Sequence, residues 1–237
     1  MTSYEHYLEE SWEIHRQWME ECGVEWGELK TLYLGGGTPS LWGERGARFL
    51  QNFLKERGLS LAEGAEVTLE VNPGSWTEEG LQAWRELGVN RFSLGVQSLD
   101  SRFLKILDRI HSFDDVHETL EFFSIQDWNF SVDLMLGLPF SERYDRDVTR
   151  ELEELMSYAP DHLSLYILTT KPQYVWSAQI PQENWIQEEY LTVCDVLREK
   201  GLPQYEVSNF SRPGYESQHN FQYWRSESVA ALGPSAT

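Results

Sequence analysis

Thr31-Leu-Tyr-Leu-Gly-Gly-Gly-Thr-Pro-Ser40 is the stretch whose reading decides the fold. Its apolar start reads as a buried parallel strand. Three glycines then let the chain turn sharply and bring bare backbone close to a ligand. Pro39 stands where a first helical turn begins, with Thr38 as its cap. A glycine-rich turn at the carboxyl end of a strand is where α/β proteins bind ligands. It is not a phosphate loop, because no Lys follows the glycines, and it is not a Gly-x-Gly-x-x-Gly turn. Taken alone, a purely structural turn reads equally well.

Strand and helix patterns alternate on either side of it. Tyr4 to Cys22 reads as an amphipathic helix with Tyr7, Ile14 and Trp18 on one stripe, closed by Gly23. Its other faces carry Glu9, Glu10, Glu13, Glu20 and Glu21, a solvated set. Downstream, helices are expected over Glu44–Arg57, from a Thr77 cap to Gly88, from Asp100 or Ser101, from a Ser112/Asp115 capping box, over Arg146–Tyr158 and over Gln182–Lys200. Strands are expected over Glu66–Val71, Arg91–Val96, Phe130–Leu136, Asp161–Leu168 and Gln204–Phe210. Strands spaced by helices are the signature of βα units and a parallel sheet. The fold class is therefore α/β, a full or partial (β/α) barrel, with a doubly wound open sheet as the alternative. A helix before the first strand is an unusual opening for such a fold.

The totals narrow the function classes. Of 237 residues, 41% are hydrophobic, enough for a core. A net charge of −20 argues against nucleic acid as a partner. No stretch of about 18 apolar residues marks a transmembrane segment, and Met1–Glu10 has no apolar core for a secretory signal. Two cysteines, Cys22 and Cys194, suggest a reducing, cytoplasmic compartment. Each reads as a small buried hydrophobe, Cys194 on a face shared with Ile186, Tyr190 and Leu197.

The informative polar residues fall at strand ends. Glu70 closes its strand, Gln97 follows Phe92–Val96, and Asp133 interrupts the apolar run Val132–Leu136. A carboxylate in such a run is costly unless it is paired or binds something. Arg109, one helix beyond Gln97, can return to the same rim. Each also has a bland role: a turn cap, a backbone bond, half of an ion pair, a solvated Arg.

Five motifs then occur in order: Gly35-Gly36-Gly37-Thr38-Pro39, Glu70-Val71-Asn72-Pro73, Ser93 to Ser98, Asp133 to Pro139, and Tyr205 to Phe210. In these the chain resembles the radical S-adenosylmethionine proteins of the HemN/HemW group, the oxygen-independent coproporphyrinogen III oxidases and the related haem chaperones. His219-Asn-Phe-Gln-Tyr-Trp224 is similar to an element of the chaperone branch. The resemblance implies an S-adenosylmethionine pocket formed by Gly36, Gly37, Thr38, Glu70, Gln97, Arg109 and Asp133, with Thr169 at the adenine end. It implies haem as a candidate ligand, through His219 and Tyr223, and a haem-accepting protein as partner. The oxidase activity is the alternative, and a clusterless binding module a further one.

One departure is large. The family's four-iron cluster needs Cys-x-x-x-Cys-x-x-Cys, which this chain lacks, so no metal site and no radical chemistry are expected of it as given. The expectation is that it starts past the family's first strand and cluster loop. Residues 1–203 are then a truncated barrel and 204–237 the start of a truncated carboxyl-terminal region.

Overall fold

A computed structural model describes residues 3–233; expectations resting on Met1 and on 234–237 lie outside them. The chain forms eight α-helices and six strands among the described residues. In order they are α1 (Ser3–Glu21), β1 (Leu29–Leu34), α2 (Gly43–Glu56), β2 (Leu61–Val71), α3 (Glu78–Leu87), β3 (Arg91–Gln97), α4 (Ser101–Ile106), α5 (Phe113–Ile125), β4 (Phe130–Leu136), α6 (Val148–Met156), β5 (His162–Ile167), α7 (Glu183–Glu199), β6 (Asn209–Ser211) and α8 (Gln218–Trp224). The strands form one six-stranded sheet in sequential order. That order, with helices as the crossovers, is a partial (β/α) barrel.

The helices begin where their capping residues stand. Thr77 accepts from Gly80 N at the start of α3, Asp100 from Arg102 N at α4, and Ser112 with Asp115 forms a reciprocal capping box at α5. Thr38 differs. It stands before the 3₁₀ turn Pro39–Trp42, but its side chain makes no capping bond.

The chain divides into two compact units. The first comprises Met1–Thr68, Thr77–Val89 and Ser217–Thr237. Its core is aromatic: Trp12 packs on Trp26 and on Phe53, with ring centroids 4.8 and 6.1 Å apart, and Trp42 lies against Trp84. Here α1 departs from expectation. Tyr7, Ile14 and Trp18 point outward, and the residues it buries are Trp12 and Glu5. Glu5 is buried because Arg45 binds it through two hydrogen bonds of 3.0 and 3.1 Å. β1 is half-exposed along its length, an edge strand rather than a buried one. Gly36 and Gly37 both have positive φ, 80° and 71°, the conformation that the turn requires of glycine.

The second unit comprises Leu69–Trp76 and Asn90–Glu216. β3, β4 and β5 pair in parallel, with Asp133 opposite Ser164. β6 pairs antiparallel to β5, which corrects the all-parallel expectation. The cause is a tight reversal: Gln204 bridges Phe210, and Tyr205 N donates to Asn209 O, so the chain turns back before it joins the sheet. On α7 the buried seam is Glu189, Val193 and Leu197. Cys194 lies beside that seam, half-buried, and Cys22 is exposed, so neither is the fully buried hydrophobe expected.

Candidate functional site

The second unit's strands are sorted by their period of two. Phe92, Leu94 and Val96 of β3, Val132 and Leu134 of β4, and Leu163 and Leu165 of β5 form one buried apolar face. The alternate residues put Arg91, Ser93 and Gly95, Ser131 and Asp133, and His162, Ser164 and Tyr166 on the other face. So a polar surface lines one side of the sheet, and its chemistry is set strand by strand.

At the end of β3 three polar side chains converge on one glycine. A Cβ built on Gly95 would lie 2.6 Å from Asn72 Oδ1, 3.2 Å from Arg109 Nη2 and 3.4 Å from Gln97 Nε2. Gly95 is there to leave room, not to bend the backbone, since its φ is not positive. Arg109 Nη2 donates to Asn72 Oδ1 and to Gly95 O, both at 3.2 Å. Its Nε is buried without a partner, and burial holds its pKa below the usual value. Gln97 adopts φ 69°, and the β3–β4 register shifts between Leu94 and Gln97. A bulge with a non-glycine residue in the left-handed region is strain of the kind found at ligand sites.

Asp133 lies farther along the same polar face. Ser93 Oγ donates to its two carboxylate oxygens at 3.4 and 3.5 Å. Burial and the neighbouring charge of Glu70 raise its pKa to about 7, against the hydroxyls of Ser164 and Ser93 and the charge of Arg91. Tyr166 is pushed up to about 12, first by burial and then by the charge of Asp133. Deeper in the strands, His162 Nδ1 is 2.7 Å from Ser131 Oγ and its Nε2 is 2.8 Å from the Tyr205 hydroxyl. Burial, with the Arg91 charge, keeps this imidazole neutral.

The loops after β3 and β4 share a buried ion cluster. Glu151 accepts from Ser98 Oγ at 2.7 Å and Leu99 N at 2.9 Å. Arg146 grips Glu151 through Nε and Nη2, at 2.6 and 3.2 Å, and donates to Met135 O at 2.8 Å. Glu189 accepts from Gly137 N at 3.3 Å and lies 3.8 Å from Arg146. The residues next to Gln97 and at the end of β4 are thus tied to one guanidinium.

Of the sequence-predicted residues in this unit, the structure brings Gln97 and Arg109 together and places Glu70 within electrostatic reach of Asp133. Thr169 is exposed, and its hydroxyl donates to the carbonyl of Ile167, 3.5 Å away. Asn72, Gly95, Ser93 and Ser164 were not singled out as site residues, although the first three sit inside the quoted motifs.

In the first unit, Gly36 and Gly37 are exposed in their turn and Thr38 is half-buried. His219 and Tyr223 are the other predicted residues there, and His219 is tightly held. Thr31 Oγ1 lies 2.9 Å from its Nδ1, and Glu66 accepts from its backbone N at 2.9 Å and from Gln218 N at 3.0 Å. Tyr33 stacks on the imidazole at 5.0 Å, and Tyr223 meets it edge-on at 5.4 Å. Burial lowers the His219 pKa, so the ring is neutral near pH 7. Nε2 has no protein partner among the described residues. Thr31, Tyr33 and Glu66 were not predicted. Glu66 shares the register of Thr68 and Glu70 on β2, the one local signal for it.

No group of three or more His, Cys, Asp or Glu suited to a metal ion occurs among the described residues. No helix there is long and apolar enough to cross a membrane.

Residues 2–150 match the Radical SAM superfamily. The heme chaperone HemW of Escherichia coli is 34% identical over 213 residues, covering 88% of this chain and 56% of that protein. The mouse protein named radical S-adenosyl methionine domain-containing protein 1, mitochondrial, is 39% identical over 217 residues, covering 88% of this chain and 48% of its own. The chain thus spans about half the length of the curated relatives it matches. Among solved structures, the Escherichia coli coproporphyrinogen III oxidase HemN superposes with a TM-score of 0.72 at 20% identity, over 94% of this chain and 52% of that one. At that identity the likeness is one of fold.

Proposed function

The chain belongs to the radical SAM superfamily, and on that premise we propose that it binds S-adenosylmethionine at the polar strand ends of its second unit and haem at His219, as part of a haem-trafficking protein. The cradle over Gly95 suits the first ligand. An unpartnered, buried Arg109 Nε is a donor for the methionine carboxylate, and Asp133 is an acceptor for ribose hydroxyls. Gln97 and Glu70 supply further polar contacts. Thr169 closes the adenine end. In the superfamily this cofactor works with an iron–sulfur cluster. That cluster does not fit this chain: Cys22 and Cys194 are two cysteines, one just past α1 and one on α7, fewer than any cluster loop supplies. The residues present bind and orient, and no cleavage of the cofactor is expected from this chain alone.

The haem reading is carried by the imidazole of His219. Its Nδ1 is held by Thr31, its backbone is anchored by Glu66, and the ring is kept neutral by burial between Tyr33 and Tyr223. A neutral imidazole with one nitrogen oriented by a second partner and the other unspent is how histidine ligates a metal. The names of the HemW relatives supply the cargo. Titration of the protein with hemin, followed at the Soret band, tests it. A saturable band that His219→Ala abolishes, and that added imidazole restores, is expected. An identical titration in His219→Ala would overturn the haem reading. Calorimetry with S-adenosylmethionine tests the other half: Arg109→Gln is expected to weaken binding at least tenfold, and unchanged affinity would refute the cradle.

A further inference from the structure

The outer face of α1 has no role in either ligand site, and its chemistry is unusual for a solvated helix. Tyr7, Ile14 and Trp18 are 53%, 67% and 59% exposed. At 100° per residue they lie within about 40° of one another, so they make one continuous stripe. Trp12, the anchor of the helix, is on the opposite side and 3% exposed. Single exposed apolar residues need no explanation, but three large ones in register on one helix do.

The stripe has a charged border. Glu10, Gln17 and Glu21 run along one edge of it, and a groove of about 600 Å³ on that side is lined by His6, Glu9, Glu10, Glu13, Ile14 and Arg57. Within α1 six glutamates stand against a single arginine. Arg16 serves Glu13 and Glu20, at 2.9 and 2.6 Å, and Arg45 and Arg57 reach Glu5 and Glu9. The border carboxylates Glu10 and Glu21 meet only His6 and Gln17. The border is therefore left with net negative charge.

We propose that this face docks a basic amphipathic helix of a partner protein, its apolar side on Tyr7, Ile14 and Trp18 and its Lys or Arg border against Glu10 and Glu21. Charge selects this occupant over two others. A second copy of the chain would bring acidic borders together on molecules of net charge −20. An anionic membrane surface would be repelled by the same carboxylates. A basic helix gains from both the apolar area and the opposite charge, and helix-on-stripe recognition through anchors one and two turns apart is a recurring mode.

An 18-residue helical peptide of Leu and Lys, with Leu on one face and Lys on both borders, is the probe, labelled and titrated by anisotropy. Saturable binding is expected, at least tenfold weaker to the Ile14→Ser/Trp18→Ser variant, weaker in high salt, and unchanged in Ile125→Ser, which alters an exposed apolar residue on α5. The same peptide with Glu for Lys should not bind. Three results would overturn the proposal: equal binding to the double variant, a concentration-dependent dimer in sedimentation that the double variant abolishes, or binding to phosphatidylserine vesicles that depends on the stripe.

Discussion

Asp133 offers the sharpest test of the polar face, because its function and its stability effect have opposite signs. Its pKa is raised from 3.8 to about 7, mostly by burial. A raised carboxyl pKa means the folded state holds the proton more tightly than the unfolded chain. Folding is then unaffected by this group below about pH 4 and loses stability as pH rises toward 7, after which the loss is complete. At 1.36 kcal/mol for each tenfold change in proton affinity, the full effect is about 4 kcal/mol. The residue is half-buried by area, so solvent screening brings the expected net to about 2–3 kcal/mol. Asp133→Asn keeps an acceptor for the Ser93 and Ser164 hydroxyls and removes the ionisation. Urea unfolding followed by tryptophan fluorescence should find the variant close to wild type near pH 4. Near pH 8 it should be more stable by about 2–3 kcal/mol. S-adenosylmethionine binding by the same variant should fall. A stability difference that does not change with pH would show that Asp133 is not strained by its surroundings, and the argument for it as a ligand group would lose its physical basis.

The remaining predictions concern single contacts. Gly95→Ala places a methyl 2.6 Å from Asn72 Oδ1; it should cost about 1–3 kcal/mol in urea unfolding and remove S-adenosylmethionine binding with the sheet intact by circular dichroism. Glu66→Gln weakens the two backbone bonds that anchor Gln218 and His219; hemin affinity should fall although His219 itself is unchanged, and the melting temperature should drop by the equivalent of about 1–3 kcal/mol. Arg146→Met leaves Glu151 and Glu189 buried without their cation and should cost about 3–5 kcal/mol. The Glu189 pKa is already raised by burial, so this loss should be larger near pH 8 than near pH 5, as urea midpoints at the two values will show.

What could be read from the sequence was mostly local. The caps at Thr77, Asp100 and Ser112 depend on residues two or three positions away; Thr77 and Ser112 stand as read, and of Asp100 and Ser101 it is Asp100 that caps. The βα alternation follows from apolar periodicity, and so the barrel class followed. Two readings failed because the deciding contact is distant. Tyr7, Ile14 and Trp18 have helical spacing, yet α1 is oriented by Trp12 against Phe53 and by Glu5 in the grip of Arg45, a pairing 40 residues apart. The direction of β6 was set by a reversal that depends on pairing with β5 rather than on composition.

The site divides along the same line. Glu70, Gln97 and Asp133 were legible because a polar residue in an apolar run carries a desolvation cost that only a ligand or a partner offsets. Glu66 was not, because it reads as one more surface glutamate until His219, 153 residues later, brings its backbone N–H to the carboxylate. Gly95 reads in the sequence as one more residue of its strand. Its meaning is the absence of a side chain where Asn72, Gln97 and Arg109 meet, and no pattern in the sequence marks an empty volume. Gln97 gains its strained φ from a bulge, and Glu151 fixes the next two residues through Ser98 and Leu99. A strained residue persists only where its neighbours over-determine it. The buried Arg146–Glu151 pair therefore works as a positioning device for the turn that presents Gln97: its carboxylate holds Ser98 and Leu99, and its guanidinium keeps that carboxylate in place.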